Sequence, residues 1–309
     1  MDQEGTDQME GGRQPAGRRT RAASTVILVR EDRGKLQLYL LRRSKGAGFF
    51  PGSYVFPGGA LEEEDRKHAF WMEHIDLSND FLIRIFGREM GSPEILAYGV
   101  AAVRETFEEA GVFLAHQEKD TGASYERLCS ERSSGKLGKG WLERKVVDEG
   151  WTLSFSSLFP WAHWITPEAM TKRFDTRFFL ALMPEGQECI PDEKETVEGI
   201  WVSPEDGLRL NMAGEVPLSP PTLITLHELL PYGSLEALKA ELESRSWGPA
   251  RLPVFKKWEN GAIIIEPWDP MYGNEIRIDP EDLEGKVLPP GTPFSRIWLK
   301  DGIWKPIGV

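Results

Sequence analysis

The sequence predicts an α/β (α+β) fold, because strand-like and helix-like segments alternate along the chain. Its 309 residues are enough to bury a sizeable core. The formal net charge of −12 disfavours a nonspecific nucleic-acid-binding protein, since phosphate backbones attract basic surfaces. A local basic pocket for a small phosphorylated ligand is compatible with this charge.

The first third of the chain predicts a tail, a hairpin, a loop and a helical segment. Residues 1–22 are rich in Gly, Gln and Arg and predict a disordered tail. Two strands, STVILVR and LQLYLLRR, flank the turn EDRGK and predict a β-hairpin. A loop rich in glycine and proline then carries FPG at Phe50 and again at Phe56. Residues 66–98 are rich in aromatic side chains and predict a helical segment.

The remainder continues the alternation of strands and helices. Residues 118–140 are polar and predict a loop or a frayed helix. Strands are predicted at FDTRFFLALM and VEGIWVS, and helices near WLERKVVDEG, at SPPTLITLHELL and at SLEALKAELESRS. Glycine and proline punctuate short apolar runs after Leu252, so residues 231–309 are predicted to form a helix followed by a β-rich extension.

The sequence contains no apolar run that is long enough to span a membrane. Its N-terminus lacks the apolar region of a signal peptide, and its C-terminus lacks the common peroxisomal address. Cys129 and Cys189 are the only cysteines, which disfavours a disulfide framework. A cytoplasmic protein is the resulting expectation.

Residues 101–111, AAVRETFEEAG, crowd three like charges into one short segment. At about 100° per residue of a helix, Glu105, Glu108 and Glu109 share one face. The apolar side chains fall on the opposite face, and Gly111 is typical of a helix end. A solvated acidic face is the simplest interpretation of such a charge run, although the repulsion costs a few tenths of a kcal/mol per pair.

A divalent cation would turn this repulsion into attraction. Magnesium binds carboxylate oxygens, keeps several waters and shares its remaining sites with substrate phosphates. Such an ion neutralises phosphate charge and activates water. Arg104 is placed to hold one of the acids through a bidentate contact. Zinc chemistry is disfavoured, because the five histidines show no zinc-like spacing.

The segment RETFEEAGV resembles the second half of the Nudix box, G-x5-E-x7-R-E-U-x-E-E-x-G-U, in which U is a bulky aliphatic residue. Thr106 stands at the first U position. Upstream, FPGGALEEED supplies Gly59, and Asp65 stands where the box has glutamate. About 31 additional residues separate the two halves. The chain therefore resembles the Nudix hydrolase superfamily, which implies a Nudix-type α/β/α sandwich around a mixed sheet.

The interrupted box resembles the coenzyme A diphosphatase branch of peroxisomal type, whose members carry an insertion at this point. The resemblance implies a Nudix domain at residues 23–230 with residues 66–98 as a helical insertion, which we expect near the active-site mouth. The broader coenzyme A signature, L-L-T-x-R-[SA]-x3-R-x3-G-x3-F-P-G-G, is only partly met. Gly48 stands where its second arginine belongs, and Leu41 replaces its threonine.

Cleavage of a P–O–P bond requires cations for the phosphate charge, a base for the water and in-line geometry. Glu105, Glu108 and Glu109 are the predicted ligands of Mg²⁺ or Mn²⁺, and the family pattern implies the same set. The Gly58 carbonyl is a further predicted ligand, since glycine permits close approach of the backbone.

The stretch DEKETVEGIW offers another acid, as several Nudix enzymes recruit one from a late loop. Glu195 is the first choice and Glu198 the second, and an ordinary acidic loop is the alternative interpretation. The general base is either Glu105 or Glu195. Arg104 completes the predicted catalytic set.

Substrate phosphate is predicted to bind Arg43 at a strand end, whereas Arg42 would point to the other face of the strand. Arg173 is a second candidate, with a purely structural role as its alternative. Phe56 and Gly59 of the FPGG loop complete the predicted substrate-binding set. Three aromatic side chains would either stack on an adenine or belong to the core: Phe49, Phe50 and Trp164.

The leading functional hypothesis is a Mg²⁺- or Mn²⁺-dependent pyrophosphohydrolase acting on coenzyme A or its thioesters. ADP-ribose, dinucleotides and nucleotide sugars are the alternative substrates. A Nudix-fold nucleotide sensor without turnover and a Nudix-fold isomerase are the alternative functions. The expected partner is a small nucleoside diphosphate derivative rather than nucleic acid or a membrane, and the resemblance alone leaves a homodimer open.

Overall fold

The computed structural model describes residues 19–87, 90–118, 122–192, 196–274 and 278–309. Its strands are β1 Arg21–Asp32, β2 Lys35–Arg43, β3 Tyr54–Val55, β4 Gly58–Ala60, β5 Ala115–His116, β6 Thr152–Leu153, β7 Leu158–Ile165, β8 Phe174–Leu182, β9 Thr196–Val202, β10 Val254–Trp258, β11 Gly261–Ile265, β12 Arg296–Lys300 and β13 Ile303–Ile307. Its helices are α1 His68–Met72, α2 Asn79–Phe86, α3 Ser92–Ala110, α4 Ala123–Ser133, α5 Trp141–Glu149, α6 Pro204–Ala213, α7 Pro220–Leu229 and α8 Leu235–Leu242. Most of the predicted disordered tail, residues 1–18, lies outside the described residues.

The central sheet is mixed, as predicted. Its strands follow the order β3-β2-β1-β8-β7, with β4 paired to β1 and β9 paired to β2. The β1–β8 pair is parallel, and the neighbouring pairs of this sheet are antiparallel. The predicted hairpin is the β1–β2 pair, in which Asp32 lies opposite Lys35.

Both faces of the sheet are covered, because alternate side chains of its strands enter two different cores. Val26 and Leu28 of β1 pack in the core that contains Phe107 of α3. Ile27 packs in the second core with Leu226 of α7. This alternation explains why the predicted strand reads as a continuous apolar run: it is buried on both faces.

Helix α3 carries the acidic segment and is delimited by helix-ending signals. Gly91 is its N-cap, and Pro93 lies in its first turn, where the missing N–H costs no helical bond. Gly111 ends it with φ of 75°, a left-handed conformation that glycine adopts without strain. The buried hydroxyl of Thr106 donates to the Ala102 carbonyl at 2.7 Å, which explains how a polar residue is tolerated at an aliphatic position of the motif.

Much of the predicted insertion, residues 66–98, is helical. Helices α1 and α2 account for much of it, whereas residues 92–98 extend α3 itself. Phe86 of α2 stacks on Trp247, with ring centroids 5.5 Å apart, and packs edge-on against Phe179 of β8. In the part of the chain that the structure describes, no residue of α1 or α2 lines the site cavity, and the expected position of the insertion near the active-site mouth stays a prediction.

The C-terminal extension is β-rich, as predicted, and joins the main core. Strands β10 to β13 form an antiparallel sheet in chain order. Ile264, Ile297 and Trp304 of this sheet belong to the same core as Ile27 of β1. The Asn211 side-chain amide also donates to the Trp304 carbonyl at 2.9 Å. The extension is therefore packed as part of the same body.

Three longer elements, α4, β7 and α6, differ from the sequence prediction. Helix α4 is regular where a loop or a frayed helix was expected, while β7 and α6 were not predicted at all. Among the described residues, no helix combines the length and the apolar character needed to cross a bilayer.

Candidate active site

A cavity of about 440 Å³ lies where the FPGG loop meets α3, β7, α7 and the C-terminal sheet. Glu105 and Glu109 form its acidic wall, and Arg43 contributes a cation. Glu266, just after β11, lines the same cavity. The cavity therefore combines carboxylates, a guanidinium and a largely apolar wall in one space.

Arg104 joins the two halves of the interrupted motif. Its Nε and Nη2 donate to Asp65 Oδ1 and Oδ2 at 3.0 and 2.8 Å, a bidentate geometry. Its Nη2 also donates to the Ala60 carbonyl at 3.0 Å, and its Nη1 donates to Glu105 and Glu108 at 2.7 and 3.1 Å. Arg104 therefore positions the acids that surround it, and it is absent from the cavity lining formed by the described residues.

Glu105 lies directly against the FPGG loop. A Cβ at Gly59 would come within 2.5 Å of the Glu105 carboxylate, so a side chain there would displace the acid. Burial raises the pKa of Glu105 to about 7, while the neighbouring Arg104 lowers it and Glu108 adds to the increase.

Glu109 is anchored to the same loop from the other side. Its Oε2 accepts a hydrogen bond from the Gly58 N–H at 2.8 Å, and the residue is 7% exposed. A Cβ at Gly58 would overlap the Ser24 carbonyl, and φ at Gly58 is 154°, so glycine is required here. The consecutive glycines thus allow the loop to approach both acids.

Glu108 is held differently from its two neighbours on the acidic face. Its Oε1 accepts from Trp141 Nε1 at 2.6 Å, and its Oε2 accepts from Arg104. Burial raises the pKa of Glu108, against the opposing effect of Arg104. Glu108 is absent from the cavity lining formed by the described residues.

The donor set fits a hard divalent cation. Within the described residues, no three His, Cys, Asp or Glu side chains already surround a common metal position. Glu105 and Glu109 nevertheless present carboxylate oxygens to the cavity, and magnesium needs only a few such ligands beside water and substrate phosphate.

Arg43 and Arg42 lie on opposite faces, as the strand geometry predicts. Arg43 lines the cavity, and its buried Nε has no hydrogen-bond partner among the described residues. Arg42 lies over the Tyr54 ring and is 3.6 Å from the Glu198 carboxylate. Arg43 is therefore the arginine with a donor available for an anion.

Arg173 does not line the cavity in the described part of the chain. Its Nε donates to the Thr166 carbonyl at 3.0 Å, and its own carbonyl accepts from the Arg21 N–H at 2.9 Å. This placement favours the structural alternative, in which Arg173 fixes the start of β8.

Phe56, Phe49 and Phe50 all line the cavity, together with Trp164. The Phe49 and Phe50 rings lie 4.3 Å apart. Phe50 has φ of 47°, a conformation that is uncommon for a bulky residue and therefore a sign of a fixed loop. These rings give the cavity flat apolar surfaces.

The late acidic loop is only partly described. Glu195, the first choice for an extra acid, lies outside the described residues. Glu198, the second choice, accepts from the Tyr54 hydroxyl at 2.8 Å and does not line the cavity formed by the residues described. Glu198 therefore has a structural partner in place of a site contact.

Two residues that the sequence analysis missed are relevant to the site: Glu266 lines the cavity, and Lys172 lies beside Gly48, next to the cavity-lining Phe49. A Cβ at Gly48 would overlap the Lys172 amine, so Lys172 occupies the space of the absent arginine side chain. Glu266 was also missed, although an acid directly after the buried run AIII was a signal that could have identified it.

A mixed sheet between helices, with an FPGG loop against the acids of an RETFEE helix, defines a Nudix hydrolase. The model of the NUDT19 Nudix domain family matches residues 20–229, and the chain belongs to this family. The resemblance to the Nudix branch with an interrupted box is thereby confirmed. The prediction of an enzyme of the Nudix diphosphatase class is confirmed with it.

The similar proteins agree with this assignment. The human acyl-coenzyme A diphosphatase NUDT19 is 29% identical over 301 residues, which cover 84% of this chain and 80% of that protein. Its Xenopus laevis counterpart is 26% identical over 310 residues, covering 86% and 81%. A crystal structure of a NUDIX hydrolase from Alicyclobacillus acidocaldarius is 26% identical and aligns with a TM-score of 0.58, covering 76% of this chain and all of that one.

Proposed function

We propose that this protein hydrolyses the diphosphate of coenzyme A or acyl-coenzyme A in a reaction that depends on Mg²⁺ or Mn²⁺. The observation that carries the proposal is the shared cavity wall of Glu105 and Glu109, with the Arg43 guanidinium in the same cavity. The human and Xenopus relatives are named acyl-coenzyme A diphosphatases, which supports coenzyme A or acyl-coenzyme A as the substrate. A cavity with polar groups beside an extensive apolar wall suits a ligand that carries both a diphosphate and a long organic arm.

The metal would be held by Glu105, Glu109 and, after it leaves Trp141, Glu108. The Gly58 carbonyl is a further proposed ligand. When bound, the ion supplies positive charge for the phosphate oxygens and lowers the pKa of water. Arg104 keeps the acids in place through its contacts with Glu105 and Glu108.

The remaining groups bind and orient the substrate. Arg43 is the proposed contact for an anionic phosphate oxygen, since its buried Nε lacks a partner in the described chain. Phe56 and Gly59 shape the floor of the cavity. Glu105 or Glu195 accepts the proton of the attacking water as a P–O bond forms and the P–O–P bridge breaks.

The products expected from coenzyme A are 3′,5′-ADP and 4′-phosphopantetheine. The 3′-phosphate is a monoester away from the scissile bridge, so it survives and serves for recognition. Lys172 replaces in space the arginine that the coenzyme A signature has at the position of Gly48. We assign the 3′-phosphate contact to Lys172.

ADP-ribose is the second candidate substrate, because Gly48 and Leu41 depart from the coenzyme A signature. The test is incubation of the purified protein with each compound and Mg²⁺, followed by mass spectrometry of the products. Faster cleavage of ADP-ribose to AMP and ribose 5-phosphate would overturn the choice of coenzyme A as substrate, but it would still agree with a diphosphate hydrolase. Equal rates in excess EDTA would overturn the metal dependence.

The homodimer and the cytoplasmic location expected from the sequence stay predictions.

A further inference from the structure

Glu266 is a buried carboxyl on the cavity wall, separate from the acids of α3. The residue is 0% exposed, and its backbone N–H donates to the Ser295 carbonyl at 2.9 Å. Neither carboxyl oxygen has a hydrogen-bond partner among the described residues. The backbone is therefore fixed, and the residue lines the cavity with both carboxyl oxygens buried and unpartnered in the described part of the chain.

An unpartnered buried carboxyl is costly for the free protein. Nearly all buried polar groups of folded proteins are hydrogen-bonded, and an unsatisfied one costs about 1–3 kcal/mol. Arg251 is the cation whose charge lowers the pKa of Glu266, and it already forms a salt bridge with Glu228, with 2.7 Å between Arg251 Nη1 and Glu228 Oε1. Its guanidinium also lies 5.0 Å from the Trp164 ring centroid. Because Glu266 lines the cavity, a ligand bound there can supply the missing partner.

The charge state of Glu266 limits which partner fits. Burial raises its pKa to about 8, Arg251 lowers it, and Glu228 adds to the increase. The raised pKa favours the neutral carboxyl, which has one O–H donor and one C=O acceptor side by side. Such a group complements a ligand edge that has an acceptor next to an N–H donor.

We infer that Glu266 is a substrate-recognition residue that forms a paired hydrogen bond with a donor–acceptor edge of the bound substrate. This inference rests on the proposed function, because coenzyme A contains two sources of this chemistry. A single trans amide points its N–H and C=O in opposite directions, so it does not provide such an edge. One source is therefore the N–H and the C=O that flank the β-alanine unit of the pantetheine arm, which can face the same side when that unit is bent. The other is the edge of the adenine ring. The C-terminal extension would thereby complete the substrate site of the Nudix domain.

The test compares two replacements of one carboxyl. Glu266→Gln keeps a neutral donor and acceptor, so KM for coenzyme A should stay within about threefold of wild type. Glu266→Leu removes both, and losing two neutral hydrogen bonds should raise KM about tenfold or more. Its kcat should be unchanged, and its melting temperature should rise, since no buried polar group stays unsatisfied. Glu259→Leu, at an exposed position of the β10–β11 turn, is the matched control.

The two sources are separated by inhibition with the products. Glu266→Leu should weaken inhibition either by 4′-phosphopantetheine or by 3′,5′-ADP, according to which half of the substrate contacts residue 266. Unchanged KM and unchanged inhibition by both products would overturn the inference, as would a Glu266→Gln variant as impaired as Glu266→Leu. Equal weakening of the inhibition by both products would indicate a distorted cavity and would also overturn the inference. Absence of coenzyme A cleavage by the wild type would instead overturn the proposed function.

Discussion

Asp65 and Arg104, 39 positions apart in the chain, form a bidentate salt bridge with Nε–Oδ1 and Nη2–Oδ2 distances of 3.0 and 2.8 Å. Both side chains are buried, at 2% and 7% exposed. Asp65 precedes the predicted insertion, and Arg104 contacts Glu105 and Glu108 of α3. The pair therefore holds together the two halves of the motif, which are separated in the sequence.

Asp65→Asn should lower the free energy of unfolding by about 3 kcal/mol, because it removes a negatively charged partner of the buried Arg104 guanidinium. The loss falls at the low end of the range for buried pairs, since Glu105 and Glu108 still contact Arg104. Urea denaturation measures the change. Lys67→Ala removes the more exposed pair with Glu143 and should cost less than about 1 kcal/mol. Equal losses in the two variants would contradict the structural importance of the Asp65 pair.

Glu109→Gln should abolish turnover with a small effect on stability. The change removes a charged oxygen ligand, but it also relieves repulsion among the acids in the metal-free protein. Replacing a residue that only supports a metal ligand lowers metal affinity or activity about 10–100-fold, so loss of a ligand itself should lower kcat by at least about 100-fold. Steady-state rates with saturating Mg²⁺ and a thermal melt provide the two measurements. Near-normal activity would refute the assignment of Glu109 as a ligand.

Gly59→Ala should reduce activity far more than stability. The added Cβ would push the flexible end of Glu105 away from the loop, and no backbone atom is among its three nearest contacts. We expect kcat to fall about tenfold or more, because sub-ångström placement of catalytic groups is required. Gly46→Ala is the control, since its Cβ would meet no atom within 4 Å. An active Gly59→Ala enzyme would show that Glu105 functions from a different position.

Lys172→Ala should weaken recognition of the 3′-phosphate. An exposed ion pair contributes up to about 1 kcal/mol, which corresponds to about a fivefold increase in KM for coenzyme A. Dephospho-coenzyme A lacks the 3′-phosphate, so its KM should not change. The comparison of both substrates at low ionic strength decides the assignment, and equal effects on the two would exclude it.

Glu266 should make the stability of the wild type depend on pH. The unfolded chain loses this proton near the usual pKa of 4.5, whereas the folded protein keeps it up to about pH 8. Ionisation therefore favours the unfolded state, and stability falls as the pH rises through this window. Arg251 opposes this effect and Glu228 adds to it. The excess melting temperature of Glu266→Leu over wild type should be larger at about pH 8 than at about pH 5, and a constant excess would contradict it.

The sequence by itself determined the elements whose pattern is local. The shared face of Glu105, Glu108 and Glu109 follows from helical periodicity, and the end of α3 follows from Gly111. The continuous apolar run of β1 likewise required a strand covered on both faces. In each case the deciding contacts lie within one helix turn or one strand, so nearby residues are sufficient to specify them.

Only the tertiary structure decided which distant residues meet. Glu105 and Glu109 reach the cavity wall while Glu108 turns to Trp141, a difference that depends on where α5 packs. Glu266 lines the cavity because the C-terminal sheet shares a core with β1, which ends 254 − 32 = 222 positions before β10 begins. Such juxtapositions are set by burial of whole helix and sheet faces, which is not directional, so no local pattern in the sequence specifies them.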